Sequence, residues 1–131
     1  FRLSDVILCK AEIENNLNGP AAALPYLNQI RARAGAPEYG KHNRFPAPST
    51  KEAMNDAILK ERGYELVFEF QRRADLIRFG KYEEVVNAHL KKLGIAQPTN
   101  VTSSLRYFPY PLNDAQLNPN LAAENPSRLP K

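Results

Sequence analysis

Residues 61–80 combine charge with apolar bulk, and no other stretch limits the possible folds of this chain as strongly. The segment holds four acids and four arginines, so it is neutral, and eight large apolar or aromatic side chains lie between them. At helical spacing Glu61, Glu65 and Glu69 fall in one i, i+4 column, where like charges repel by about 0.2–0.5 kcal/mol per pair. Arginine pairs with carboxylates in a planar, bidentate way and can neutralise such a column. We therefore predict a partly buried ionic lattice made of Glu61, Arg62, Glu65, Glu69, Arg72, Asp75 and Arg78.

A catalytic role for these carboxylates is the alternative, and the surrounding residue types disfavour it. Acid/base chemistry usually joins a carboxylate to a histidine, serine or cysteine, and residues 61–80 contain none. His42 and His89 lack metal-motif spacing, and a single cysteine excludes an intrachain disulfide and a multi-cysteine metal centre. We predict no catalytic residue, no metal site and no cofactor. Cys9 is predicted to be a small core residue because its neighbours are apolar.

The basic character of the chain does not indicate nucleic-acid binding. The net charge is +4 over 131 residues, but the lysines and arginines are spread along the whole sequence. Where they cluster, at Arg72-Arg73, the same segment supplies matching acids. The composition, with 43% hydrophobic and 24% charged residues, is that of an ordinary globular protein.

Residues 1–35 predict two helices joined as an antiparallel hairpin. The first helix has a broad apolar face formed by Leu3, Val6, Ile7, Ile13 and Leu17, with Cys9 and Ala11 adjoining. The predicted solvent-exposed face of this helix consists of Glu12, Glu14, Asn15, Asn16 and Asn18. Gly19-Pro20 ends this helix and starts the next. Proline inside a helix costs about 3 kcal/mol, so the second helix is predicted either to begin only at Ala23 or to kink at Pro25.

Residues 36–50 predict a polar loop with two aromatic side chains of interest. Tyr39 and Phe45 are the local candidates for glycan contact, because flat sugar rings stack on aromatic rings that lie beside hydrogen-bonding groups. The favoured alternative is that both rings only anchor the loop to the core.

Residues 51–94 predict further helices that carry the ionic lattice. The S-x-x-E pattern of residues 49–52 is typical of a capping box and places a helix start near Thr50. A break is predicted at residues 70–72, followed by a short helix up to Gly80. Another amphipathic helix is predicted to start at Lys81 and stop at Gly94.

Residues 95–131 predict an irregular C-terminal wrap. Six of the eleven prolines lie between Pro98 and Pro130, and proline is excluded from helix interiors. The prediction is an extended, loop-rich segment with one short strand at residues 106–109.

Several ordered motifs resemble one known family. The pattern E-R-x-x-E-L-x-F-E-x-x-R-x-x-D-L-x-R-[WF]-G is matched from Glu61 to Gly80, with Phe70 standing where many members carry glycine and Ala74 where an aromatic is frequent. R-x-R-A-G is matched at residues 31–35, and the closing F-P-x-P and N-P-N-L patterns at residues 108–121. The chain resembles the SusD/RagB family, surface glycan-binding lipoproteins of Bacteroidetes-type bacteria. The residues 1–35 hairpin is similar to one tetratricopeptide unit, as expected of that family.

The resemblance implies an all-α fold with a tetratricopeptide-like hairpin, further helices and the proline-rich wrap. It implies a non-enzymatic protein of the outer membrane and cell surface that captures oligosaccharides for nutrient uptake. The implied partner is a SusC-like TonB-dependent transporter, and the implied membrane attachment is a lipid anchor on an N-terminal part. Since the chain begins with Phe1, residues 1–131 are predicted to be a C-terminal fragment of such a protein.

Two other functions stay open from the sequence alone. One is a free-standing tetratricopeptide-like adaptor that binds another protein's peptide in a helical groove, although no second hairpin repeats at a fixed period. The other is a hydrolase, which needs a pair of carboxylates facing a cleft.

Overall fold

The computed structural model describes residues 2–95, 101–102 and 106–124. These residues form seven helices and contain no β-strand, which confirms the predicted all-α fold. Residues 1–79 form one compact unit and residues 80–131 a second. Among the helices described, none is long and apolar enough to cross a membrane.

The first two helices form the predicted hairpin. Helix α1 spans Leu3–Asn18, helix α2 spans Pro20–Arg33, and Gly19 is the only residue between them. Gly19 has a φ of 89°, a conformation that side chains with a Cβ rarely adopt. Its N–H donates to the Asn15 carbonyl and closes α1, while Pro20 occupies the first helical position of α2.

Pro25 lies inside a continuous α2. The alternative in which the second helix begins only at Ala23 is therefore wrong. Proline cannot donate a hydrogen bond to the carbonyl four residues earlier, which belongs to Ala21. Ala21 and Pro25 are both exposed, so water can satisfy that carbonyl and the proline is tolerated.

The buried face of α1 differs from the predicted one. Leu3, Val6, Ile13 and Leu17 are exposed, and of the predicted face only Ala11 is buried and Ile7 packs partly against the core. The other buried side chains of α1 are Ser4, Leu8 and Asn15. Ala11 of α1 and Ala23 of α2 are both fully buried, and such small side chains allow helices to approach closely. The hairpin thus buries the face with the small residues, and Leu3, Val6, Ile13 and Leu17 form a second, exposed apolar face of α1.

Two single-residue predictions in α1 are also wrong. Cys9 is exposed and is not a core residue. Asn15, assigned to the wet side, is fully buried, and its amide donates to the Lys51 carbonyl and to the Asn55 side chain, both at 2.8 Å. These bonds satisfy the buried amide nitrogen of Asn15 and tie α1 to the start of the third helix.

Helix α3 spans Lys51–Glu65 and begins where the capping pattern predicted. The cap is Thr50, whose hydroxyl accepts a hydrogen bond of 3.1 Å from the Ala53 N–H. Met54, Ala57 and Ile58 of α3 complete the core formed with the hairpin. Gly63 leaves room for a neighbour, since a Cβ there would lie 2.8 Å from the Arg72 guanidinium.

The chain leaves the helix earlier than predicted. Helix α3 stops at Glu65 and helix α4 spans Arg72–Arg78, so the break covers residues 66–71. Phe68 and Phe70 have φ values of 63° and 60°, in the left-handed region, and are 94% and 97% exposed. Glu69 lies in this turn and not in a helical column with Glu61. The left-handed turn is the reason that the predicted three-acid column does not form.

The second unit contains three helices in its described residues. Helix α5 spans Tyr82–Lys92 and ends just before Gly94, as predicted. Helices α6 (Leu112–Leu117) and α7 (Pro119–Glu124) lie in the segment predicted to be extended, so that prediction is wrong for residues 112–124. Each begins at or directly after a proline, a favourable helix start.

The predicted strand at residues 106–109 is absent, and the residues described there are irregular. The described part of this segment is fixed to α5 by side chains. Arg106 pairs with Glu83 at 2.6 Å, and the Asn87 amide bonds both backbone groups of Val101 at 2.9 and 2.7 Å. The predicted wrap also includes residues 96–100, 103–105 and 125–131, which lie outside the described residues.

Candidate functional site

The loop at residues 36–50 is held to α2 by hydrogen bonds to its backbone. The Asn28 amide donates to the Tyr39 carbonyl at 2.9 Å and accepts from the Tyr39 N–H at 2.8 Å. Arg31 donates through Nε to the Pro37 carbonyl at 2.6 Å. The loop also closes on itself, because the Gly40 N–H donates to the Phe45 carbonyl at 2.7 Å. The backbone of this loop is therefore fixed at several points.

Tyr39 and Phe45, the two glycan-contact candidates, lie side by side. Their ring centroids are 5.8 Å apart with nearly perpendicular planes. The Arg31 guanidinium carbon lies 4.6 Å from the Tyr39 ring centroid and 4.7 Å from that of Phe45. Cation–π contacts of this kind hold both rings against α2, as an anchoring role requires. Both rings are nevertheless half-exposed and line an open groove.

This groove, between the loop and α3, has a volume of about 480 Å³. We call it the loop groove. Its apolar surface comes from two aromatic rings, two prolines and small side chains, namely Tyr39, Phe45, Pro46, Pro48, Ala53 and Ala57. Polar groups reach it from Arg44, Ser49, Asp56 and Lys60. An apolar surface with a few polar groups at its edge is typical of small-molecule sites.

The ionic lattice lies on the other side of the same ring pair. Arg31 and Glu61 form its innermost pair, with Nη1 and Oε2 2.7 Å apart and each side chain 6% exposed. Arg31 thus contacts the two rings, the Pro37 carbonyl and the Glu61 carboxylate. One buried guanidinium connects the lattice to the wall of the loop groove.

Arg62 is the second buried cation of the lattice. It bonds Asp75 through Nε and Asp5 through Nη1, both at 2.8 Å. Burial is the largest influence on Arg62 and lowers its pKa, but the hydrogen bonds and charges of Asp75 and Asp5 together raise the pKa above its ordinary value. Arg78 also bonds Asp75, at 3.0 Å, and pairs with Glu12. This part of the lattice joins α1, α3 and α4.

The outer part of the lattice is centred on Glu65. Its carboxylate accepts from Arg33 at 2.5 Å and from Arg2 at 3.0 Å. Arg2 pairs with Glu69 as well, and the hydrogen bond and charge of Glu69 raise the pKa of Arg2. Both arginines are largely exposed, whereas the Glu65 side chain is nearly buried.

Arg72 differs from the other six lattice residues. Its guanidinium donates to the Leu59 carbonyl at 2.7 Å. It has no carboxylate partner in the part of the chain that the structure describes. Arg72 therefore fixes the end of α3 through a backbone group.

The residues that sequence reasoning missed are the lattice partners outside residues 61–80. They come from the N-terminus and the hairpin, and they are Arg2, Asp5, Glu12, Arg31 and Arg33. The R-x-R-A-G motif contained a signal, since Arg31 and Arg33 both reach acids of α3. Within the described residues, no group of three or more histidine, cysteine, aspartate or glutamate side chains could hold a metal ion.

Comparison with known proteins gives consistent matches. The model of the SusD family matches residues 1–127. SusD-like protein P25 of Formosa agariphila is 40% identical over 119 residues, which cover 91% of this chain and 22% of that protein. SusD-like protein P2 of the same organism is 30% identical over 132 residues, covering 96% of this chain and 25% of that protein.

A more distant match is the starch-binding protein SusD of Bacteroides thetaiotaomicron. It is 27% identical over 124 residues, covering 93% of this chain and 20% of that protein. The chain thus spans about a fifth to a quarter of the length of these relatives. No solved structure shows a significant match.

Proposed function

The chain belongs to the SusD family, and from that premise we propose that it is part of a non-enzymatic, oligosaccharide-binding protein that acts in nutrient uptake. The observation that carries this proposal is the family match over residues 1–127. The name of one relative, a starch-binding protein, supports carbohydrate as the ligand class.

The state of the carboxylates supports binding over hydrolysis. A glycoside hydrolase needs two carboxyl groups that face a cleft and are free to transfer protons. Glu61, Glu65 and Asp75 instead accept hydrogen bonds from guanidinium groups, and Glu61 and Asp75 are buried. Carboxylate oxygens engaged by guanidinium groups in this way are not presented to a substrate in a cleft. The lattice therefore acts as a support for the fold.

Within that support, the loop groove is the part of the chain that we assign to ligand contact. Tyr39 and Phe45 present half-buried rings to it, Arg31 contacts both rings, and Asn28 fixes the backbone of Tyr39. Rings held in place lose little conformational freedom when a sugar stacks on them. Anchoring and ligand contact are compatible roles for the same two side chains.

We also propose that these residues are the C-terminal part of a longer chain. The exposed face of α1 supports this, because Leu3, Val6, Ile13 and Leu17 follow the 3–4 spacing that packs against another helix. In the proposed full protein an N-terminal part carries the lipid anchor. The partner is a SusC-like TonB-dependent transporter, and the location is the outer membrane at the cell surface.

A tetratricopeptide-like adaptor remains the second candidate, and the same α1 face favours it. An adaptor would use this face for a second protein, and it would have no affinity for sugars. The loop groove argues for the first proposal, since an adaptor of stacked hairpins has no need of it.

Isothermal titration calorimetry of the natural full-length protein with a panel of oligosaccharides tests the proposal. We expect binding to at least one oligosaccharide and a weaker affinity in Tyr39→Ala/Phe45→Ala. A Tyr64→Ala variant is the matched control, since Tyr64 is an exposed aromatic outside the loop groove. Unchanged affinity in the double variant would remove the loop groove from the proposal. Failure of every oligosaccharide to bind, together with capture of a protein partner, would favour the adaptor.

A further inference from the structure

The charges at the edge of the loop groove are unbalanced. Arg44 reaches the groove from the loop and Lys60 reaches it from α3, and both side chains are exposed. Neither has an ion-pair partner within the residues that the structure describes. Asp56 is the one acid among the residues that line the groove. The groove therefore carries a net positive charge.

This arrangement contrasts with the arginines of the lattice. Arg31, Arg62 and Arg78 each have a carboxylate within hydrogen-bonding distance. Those charges are already neutralised, although Arg31 lies directly behind the rings. The cations available to a ligand in the loop groove are therefore Arg44 and Lys60, one on each wall.

The two kinds of surface in the groove fit one ligand chemistry. Aromatic rings and prolines suit the flat apolar faces of pyranose sugars. A guanidinium binds a carboxylate or sulfate through two parallel hydrogen bonds, and an ammonium adds a compact point charge. A neutral glucan would leave both cations without a charged partner. An acidic glycan would satisfy them while its ring faces contact Tyr39 and Phe45.

We propose that the loop groove binds an anionic oligosaccharide, one whose sugars carry carboxylate or sulfate groups. This inference rests on the proposed carbohydrate-binding function and specifies its ligand class. Arg44 and Lys60 contact the anionic groups, and the two aromatic rings contact the sugar face. The preference for acid over neutral sugar arises from these two cations.

The test compares matched pairs of ligands on the natural full-length protein by isothermal titration calorimetry. Oligogalacturonate is compared with its carboxyl-reduced form, and a sulfated dextran oligosaccharide with plain dextran oligosaccharide of equal length. We expect at least one anionic ligand to bind about tenfold or more tightly than its neutral counterpart, because charge-assisted hydrogen bonds are the strong ones. The pair that shows the preference identifies carboxylate or sulfate as the recognised group.

Arg44→Gln/Lys60→Gln should abolish this preference, so that the anionic and the neutral ligand bind with similar affinity. Lys91→Gln/Lys92→Gln is the matched control, because it removes the same charge from exposed positions on α5 and should keep the preference. Circular dichroism verifies that both variants are folded. A preference that survives in the groove variant, or equal affinity for anionic and neutral ligands, overturns the inference while leaving carbohydrate binding intact. Absence of binding to every oligosaccharide overturns the proposed function itself.

Discussion

Replacing Arg31 by methionine leaves the Glu61 carboxylate buried without a cation. In the native protein the two charged groups are 2.7 Å apart and each side chain is 6% exposed. Removing one partner of a buried ion pair costs about 3–5 kcal/mol. The lost hydrogen bond to the Pro37 carbonyl adds about 1 kcal/mol. We expect Arg31→Met to lower the free energy of unfolding by about 4–6 kcal/mol.

Removing both charges separates this desolvation cost from ordinary packing. Glu61→Leu alone leaves the buried Arg31 guanidinium without its carboxylate partner and should lower the free energy of unfolding by about 3–5 kcal/mol. Arg31→Met/Glu61→Leu leaves no buried charge and loses only the Pro37 hydrogen bond and the ring contacts, about 1–3 kcal/mol. The double variant should therefore be more stable than either single variant in urea unfolding followed by circular dichroism. Additive losses, or a loss below about 0.5 kcal/mol in Arg31→Met, would refute a buried pair.

Three further changes test other parts of the structure. Phe70→Gly should raise the free energy of unfolding by about 0.5–1 kcal/mol. It relieves about 1–2 kcal/mol of strain from the left-handed conformation of Phe70, which exceeds the cost in conformational entropy of a glycine. A lower thermal unfolding midpoint would contradict this. Thr50→Ala should lower the free energy of unfolding by about 1 kcal/mol, because the N-terminal cap of α3 is lost. Thr50→Ser keeps a hydroxyl and should keep most of the native stability in the same thermal melts. The hydrogen bond from Arg106 lowers the pKa of Glu83 in the folded protein. This contact therefore stabilises the fold when the pH is above the ordinary carboxyl pKa, and its contribution is lost as the pH falls through the lowered pKa. Carbon-13 NMR titration should place the pKa of Glu83 below its ordinary value, and this lowering should become smaller in Arg106→Gln, where only the backbone hydrogen bond of Glu83 still lowers the pKa.

The ionic lattice could be predicted from the sequence only in part. Charge balance and apolar surroundings in residues 61–80 were sufficient to predict that these acids meet arginines. The pattern could not supply the partners, because the cations for Glu61 and Glu65 come from α2, about 30 residues away. Local spacing contains no information on which distant element packs against it. The predicted three-acid column does not form because the chain turns at residues 66–71, where Glu69 pairs with Arg2 of a distant part of the chain.

Helix α1 and the turn at residues 66–71 show two other limits. Apolar residues occur on two faces of α1, and periodicity selected the face that this chain leaves exposed. Packing against α2 and α3 favoured the face with Ala11, a choice that depends on tertiary contacts. The turn had a signal in the family resemblance, whose pattern has glycine as a frequent residue at the position of Phe70. A glycine position inside a helical pattern indicates a left-handed residue, which the structure places there.

The amide of Asn28 bonds both backbone groups of Tyr39 much as a neighbouring β-strand would, and the Thr50 hydroxyl fixes the far end of the same loop. With both ends tied to helices, the exposed positions of residues 41–44 and 46–49 can differ in sequence without disturbing the hairpin, whereas Gly40, with a φ of 78°, and Phe45, in contact with Arg31, are constrained. Under the proposed function, ligand preference can therefore change in this short segment while the scaffold stays constant.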